Sequence, residues 1–119
     1  DIDLSGASVS ESWGIPAFTS TCLGKWSVVN NYGGHKSWAN KENSILIEPS
    51  GKKECYDGVF FKKGLPFNQG NFSVYDEDSL IFAMENAEKK SNQLNKNGID
   101  DGKKFTYSDT LSVILNNIL

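Results

Sequence analysis

The sequence predicts an α+β fold: an antiparallel sheet of four to five strands in the N-terminal two thirds, with two C-terminal amphipathic helices packed on one face. Three observations lead there. Up to Tyr75, short runs rich in Thr, Val, Ile and aromatic residues alternate with Gly, Pro and Asn clusters. From Asp76 the apolar residues recur at helical spacing instead. Strands first and helices after is the order of folds that segregate helices to one face of an antiparallel sheet. A chain of 119 residues with 38% hydrophobic content suffices for one domain and its core.

Taken in order, residues 1–16 are rich in Ser and Gly and are expected to be an extended lead-in, with residues 17–119 forming the single domain. Ile15 precedes Pro16 and is biased away from helix. "AFTSTC" and "KWSVVN" flank Leu23-Gly24 and read as a hairpin or two consecutive strands. After the loop Asn30 to Ser44 comes "SILIEPSGKKECYDGVFFKKG", whose two β-prone arms are separated by Pro49-Ser50-Gly51, a strong turn signal. Asp57-Gly58 within the second arm suggests a bulge or a second turn. "NFSVY", Asn71 to Tyr75, follows as a further strand.

Three acids, Asp76 to Asp78, open the helical region, and Asn97-Gly98 reads as its stop. Leu80, Met84, Ala87, Ser91 and Leu94 form the expected inner stripe, widened by Ile81. "NKNGIDDGKK" resembles a calcium loop only in composition, because Ile99, Asp100 and Thr106 fall on the wrong positions of the EF-hand register; it reads as a solvated turn. The last helix begins at a capping box, Thr106 to Asp109, carries Leu111, Ile114, Leu115 and Ile118 on one face, and runs to Leu119.

Charge and composition narrow the function. The formal net charge is −3, and the 12 basic residues are all lysine, spread evenly along the chain. The planar guanidinium fork that reads phosphates and guanine edges is thus absent, which argues against nucleic-acid recognition. No apolar run is long enough to span a bilayer, and no cofactor or metal motif occurs. A first residue other than Met fits a mature secreted chain or a domain excised from a longer one. Together with the even pair Cys22 and Cys55, it points to a secreted or periplasmic protein stapled by one disulfide.

The loop "NNYGGHKSWANKENS" carries the strongest functional signal. Tyr32 and Trp38 lie among Gly and Asn residues, a composition that binding loops favour, and Trp13 and Trp26 are close in sequence. The leading expectation is a protein-binding domain, such as an inhibitor, immunity factor or adaptor, that uses Tyr32, His35, Trp38 and Trp26. The alternative is a small secreted hydrolase or toxin domain in which His35 acts as acid or base, with Lys36 or an acidic group assisting, or Cys22 as a thiol nucleophile. A carbohydrate-binding module stacking glycans on Trp26, Tyr32 and Trp38 is third. Acid pairs Asp76/Asp78 and Asp100/Asp101 would make a glycosidase dyad only at a carboxylate separation that sequence does not supply, and Asp76 to Asp78 already have a role at a helix start; the sequon at Asn71 matters only in a eukaryotic secretory host.

Overall fold

The computed structural model describes residues 1–8 and 10–118. β1 (Ile2–Gly6), β2 (Trp26–Asn30) and β3 (Ile45–Ile47) form a parallel sheet in the order β1-β2-β3. β4 (Gly51–Glu54) and β5 (Asn71–Val74) pair antiparallel as a separate two-stranded sheet. Four α-helices complete the described elements: α1 (Ile15–Cys22), α2 (Glu77–Glu88), α3 (Lys96–Gly102) and α4 (Tyr107–Ile118), with a 3₁₀ turn at Gly33–Ser37. The single antiparallel sheet expected from the sequence is therefore not the fold. The centre is a three-layer α/β arrangement, with α1 on one face of the parallel sheet, α3 packed against α1, and α2 on the other face.

β2 explains the difference. All five of its residues are buried. Trp26 and Val28 join Ile45, Ile47, Ala83 and Ala87 in the core under α2. Val29 joins Ala17 and Trp38 under α1. A strand covered on both faces reads as a β-prone run whichever way its neighbours point, so pairing direction is not visible in its pattern.

The segment "AFTSTC", expected as a strand, lies in α1. Pro16 stands in the first turn, where its missing N–H is no loss and its fixed φ suits a helix. The β-prone threonine is used for docking: Thr21 Oγ1 donates to Ser27 Oγ at 3.0 Å, and Ser27 Oγ donates to the Ala17 carbonyl at 3.0 Å. The expected lead-in contains β1, which is extended but paired in register with β2 through Ile2–Trp26 and Asp3–Ser27.

The arms on either side of Pro49 do not pair with each other. β3 goes to β2, because Ile45 and Ile47 have a core to enter, and the polar β4 pairs with β5. α2 is capped as expected by Asp76, whose Oδ1 accepts from the Ser79 amide at 2.7 Å. Its inner face differs from the expected stripe: Ala83 and Ala87 are buried, whereas Met84 and Ile81 are 44% and 47% exposed.

"NKNGIDDG" forms α3 rather than a solvated turn. Asn95 caps it and fastens it to the sheet layer: its side-chain oxygen accepts from the Gly98 amide, and its Nδ2 donates to the Lys25 and Asn43 carbonyls at 2.9 and 2.7 Å. Gly98 is required by close approach, since a Cβ there would lie 2.5 Å from the Thr21 carbonyl oxygen. Asp101 extends the same fastening by accepting from Asn43 Nδ2 at 2.9 Å. α4 has the expected amphipathic spacing but buries none of its described residues, so the packing on the sheet expected for it is not formed. The expected end at Leu119 lies outside the described residues.

The two cysteines are free and far from each other. Cys22 ends α1 against Gly102 of α3, while Cys55 sits in the β4–β5 hairpin near Gly70. The expected disulfide is absent, because Cys55 belongs to a sheet that does not pair with the one α1 covers. Without a bridge the cysteine pair no longer points to an oxidising compartment, and nothing in the structure supports the secreted, inhibitor or toxin assignments.

Two measurements check this packing. Ala83→Leu should cost about 1–3 kcal/mol by overfilling the α2 contact, whereas Met84→Ala should cost about 1 kcal/mol or less; urea denaturation distinguishes them. The Lys104 ammonium, Asn43 and Asn40 hold the Asp101 carboxyl below its ordinary value of 3.8. A folded-state pKa depressed in this way contributes stability above the unfolded value that is lost as pH falls through the folded one. Asp101→Asn should therefore flatten the fall in melting temperature on acidification below about pH 3.8.

Candidate functional site

The carboxyl ends of β1 and β2 lie side by side in the parallel sheet, so the loops leaving them share one edge. Two loops meet at this edge: the one between β1 and α1, and the one leaving β2 through Tyr32 to Trp38. They are tied together by backbone. The Gly34 amide donates to the Glu11 carbonyl at 3.1 Å, Trp38 Nε1 donates to the Trp13 carbonyl at 2.8 Å, and Asn30 Nδ2 donates to the Ser8 carbonyl at 3.0 Å. Only glycine fits at position 34, since a Cβ there would overlap the Ser12 carbonyl.

His35 is 1% exposed and lies between these loops. Its Nδ1 is 3.0 Å from the Asn30 carbonyl oxygen, which can only accept, so Nδ1 carries a proton, and in the neutral ring Nε2 is the acceptor. Among the described residues Nε2 has no partner; it is buried and faces Gly14, the residue that opens α1 in left-handed backbone geometry. No side chain caps the first turn of α1, whose amides lie at the positive end of the helix dipole. A buried acceptor and an uncapped helix start are thus placed side by side. At the rim, Ser10, Ser12 and Lys36 are exposed, while Glu11 and Tyr32 are half-buried.

The structure separates the residues that sequence reasoning grouped. Trp38 is 5% exposed and belongs to the core with Val29 and Ala17, so it is no protruding anchor. Its ring meets Phe18 edge to face at 5.4 Å, in a cluster that includes Trp13 and Phe105. Trp26 lies at the opposite end of β2 from Tyr32, 8% exposed, with Lys90 Nζ 3.5 Å above its ring. Trp26, Tyr32 and Trp38 therefore do not share one stacking surface.

The thiol and imidazole are also apart. His35 touches Gly14, which opens α1, and Cys22 closes it, a separation of roughly 12 Å at 1.5 Å per residue. Burial, followed by the nearby Asp101 carboxylate, pushes the Cys22 thiol up, away from the thiolate a nucleophile needs. Lys36, exposed beside His35, stays at the same edge. Sequence reasoning missed Glu11 to Gly14. The available signal was a glycine two residues before Pro16, which marks a helix start as well as a turn. No helix among the described residues is long and apolar enough to cross a membrane.

Replacement of Trp38 by Ala should cost about 3–5 kcal/mol, as expected for an aromatic removed from a core. Tyr32→Ala should cost about 1 kcal/mol or less. Thermal and urea melts of the two variants check this. Neither a protein-family model nor a curated protein matches the sequence.

Proposed function

We propose that the chain is a binding module that seats a small polar ligand at the carboxyl edge of its parallel sheet, with the Asn30–Ser44 loop as one wall and Glu11 to Gly14 as the other. The observation that carries this reading is the unpartnered His35 Nε2 beside the uncapped start of α1. A buried acceptor without a donor costs on the order of 1–3 kcal/mol, and an uncapped helix start forgoes about 1 kcal/mol. One ligand relieves both if it offers a hydroxyl to Nε2, reached by a small shift of Gly14, and an anionic oxygen to the first turn of α1. Lys36 adds a positive charge at the rim, and Ser10 and Ser12 add hydroxyls. Binding, rather than turnover, is favoured because the thiol and imidazole lie at opposite ends of α1.

The test is a two-dimensional amide and imidazole NMR titration with glycerol 3-phosphate, compared with glycerol and with inorganic phosphate. Glycerol 3-phosphate should bind more tightly than either fragment, shifting Gly14, Ile15, Ala17, Gly33, Gly34 and the His35 ring, and His35→Leu should weaken it. Shifts elsewhere, or none, would remove the proposal.

A macromolecular partner is the second reading. It is favoured by α4, whose Leu111, Ile114, Leu115 and Ile118 are all exposed along one helical face. Leu111→Lys with Leu115→Lys should abolish association through that face while leaving the NMR shifts at Gly14 unchanged.

A further inference from the structure

The β4–β5 hairpin carries an exposed loop, residues 55–70, with large apolar side chains at its tip. Val59, Phe60 and Phe67 are 66%, 83% and 62% exposed. The loop is nevertheless built. Asp57 Oδ1 accepts from the amides of Val59, Phe60 and Phe61 at 2.8, 2.9 and 3.0 Å. The Asp57 and Gly58 amides both return to the Phe61 carbonyl. Gln69 brackets Lys62 through both its amide and its carbonyl. These bonds hold Phe60 outward rather than letting it fold back onto the hairpin.

Cationic side chains surround this apolar tip. Residues 51–70 hold four lysines, Lys52, Lys53, Lys62 and Lys63, against two acids, in a chain whose net charge is −3. Three of them, Lys53, Lys62 and Lys63, line one cleft of about 300 Å³ together with Glu54, Tyr56 and Phe72. Lys63 Nζ lies 4.6 Å from the centre of the Tyr56 ring. One of the two acids, Asp57, has its carboxylate engaged by backbone amides, which hold it below its ordinary value.

We propose that this hairpin tip docks on an anionic lipid bilayer, with Phe60, Val59 and Phe67 entering the headgroup boundary and the lysine cleft receiving a lipid phosphate. Apolar side chains in a cationic setting match the two attractions such a surface offers, burial at the acyl boundary and a negative surface potential. The tip is a protruding loop, whereas a protein hot spot fills a well-packed pocket on its partner.

The experiment is cosedimentation of the chain with vesicles of phosphatidylcholine alone and of phosphatidylcholine with phosphatidylglycerol, at low and high salt. Binding should appear on the anionic vesicles, weaken as salt shortens the screening length, and fall about tenfold in Phe60→Ser, the loss expected for removing one buried aromatic anchor. Lys62→Glu with Lys63→Glu should erase the preference for anionic lipid. All three positions are exposed, and circular dichroism melts confirm that the variants fold. Absence of binding to either vesicle, or binding unchanged by Phe60→Ser, overturns the proposal. So does binding that soluble inorganic phosphate competes away completely, which would make the cleft a site for free anions.

Discussion

Burial of β2 on both faces is the constraint on which the rest of the protein depends. Trp26 and Val28 require a cover on one side, and Ser27 and Val29 require another on the opposite side. α2 supplies the first with Ala83 and Ala87, residues small enough to let the helix lie close. α1 supplies the second, and its polar contact through Thr21 and Ser27 fixes its position along the strand. α3 is then held against α1 by Asn95 and by the glycine that allows backbone contact at position 98. The chain leaving the carboxyl end of β2 first bonds to β3 and Glu48 through Asn31 and then reaches the loop leaving β1 through Gly34. The candidate site is built where those two loops join.

The buried polar groups divide into two kinds. Asn43, Asn95 and Asp101 form a network in which carbonyls and amides far apart in sequence satisfy one another, and it joins the β2–β3 loop to α3. Such a network specifies one arrangement of loop and helix, since moving either would strand several buried groups at once. His35 belongs to the other kind. Its Nδ1 is committed to Asn30 while its Nε2 is left over. Within one loop the groups are matched at Asn43 and incomplete at His35, beside which Asn30 Oδ1 is also left over; Trp26 Nε1 and Ser73 Oγ are left over elsewhere.

Some of this was legible in the sequence. "KWSVVN" and "SILIE" announced strands through their β-branched residues, and the acids from Asp76 announced a helix start, because those signals are local. The direction of strand pairing was not legible, since the same pattern suits parallel and antiparallel neighbours. "AFTSTC" misled because its Thr and Phe favour strands on propensity, whereas tertiary contacts to Ser27 and Trp38 hold it helical. Asn97-Gly98 misled because the glycine serves contact with α1 and not termination of α2. At the site, Gly33-Gly34 and His35 marked the correct loop, but Trp38 was read as exposed. No local feature of the sequence distinguishes an aromatic that folds beneath its own loop from one that projects from it.

The parallel sheet also governs how the chain must assemble. β1 and β2 cannot meet by a simple reversal; α1 has to form and cross over between them, and β3 joins only after a further loop has closed. The local antiparallel pairing among the described strands, β4 with β5, belongs to a separate sheet, so forming it early contributes nothing to the β2 core. Loop-closure entropy therefore has to be met before any central contact repays it, which slows the assembly of sheets built from non-local pairings. Until α2, which comes last of the elements enclosing β2, arrives from the far side of the hairpin, the face carrying Trp26 and Val28 is open to water. In that interval the nascent chain is at its most vulnerable to aggregation.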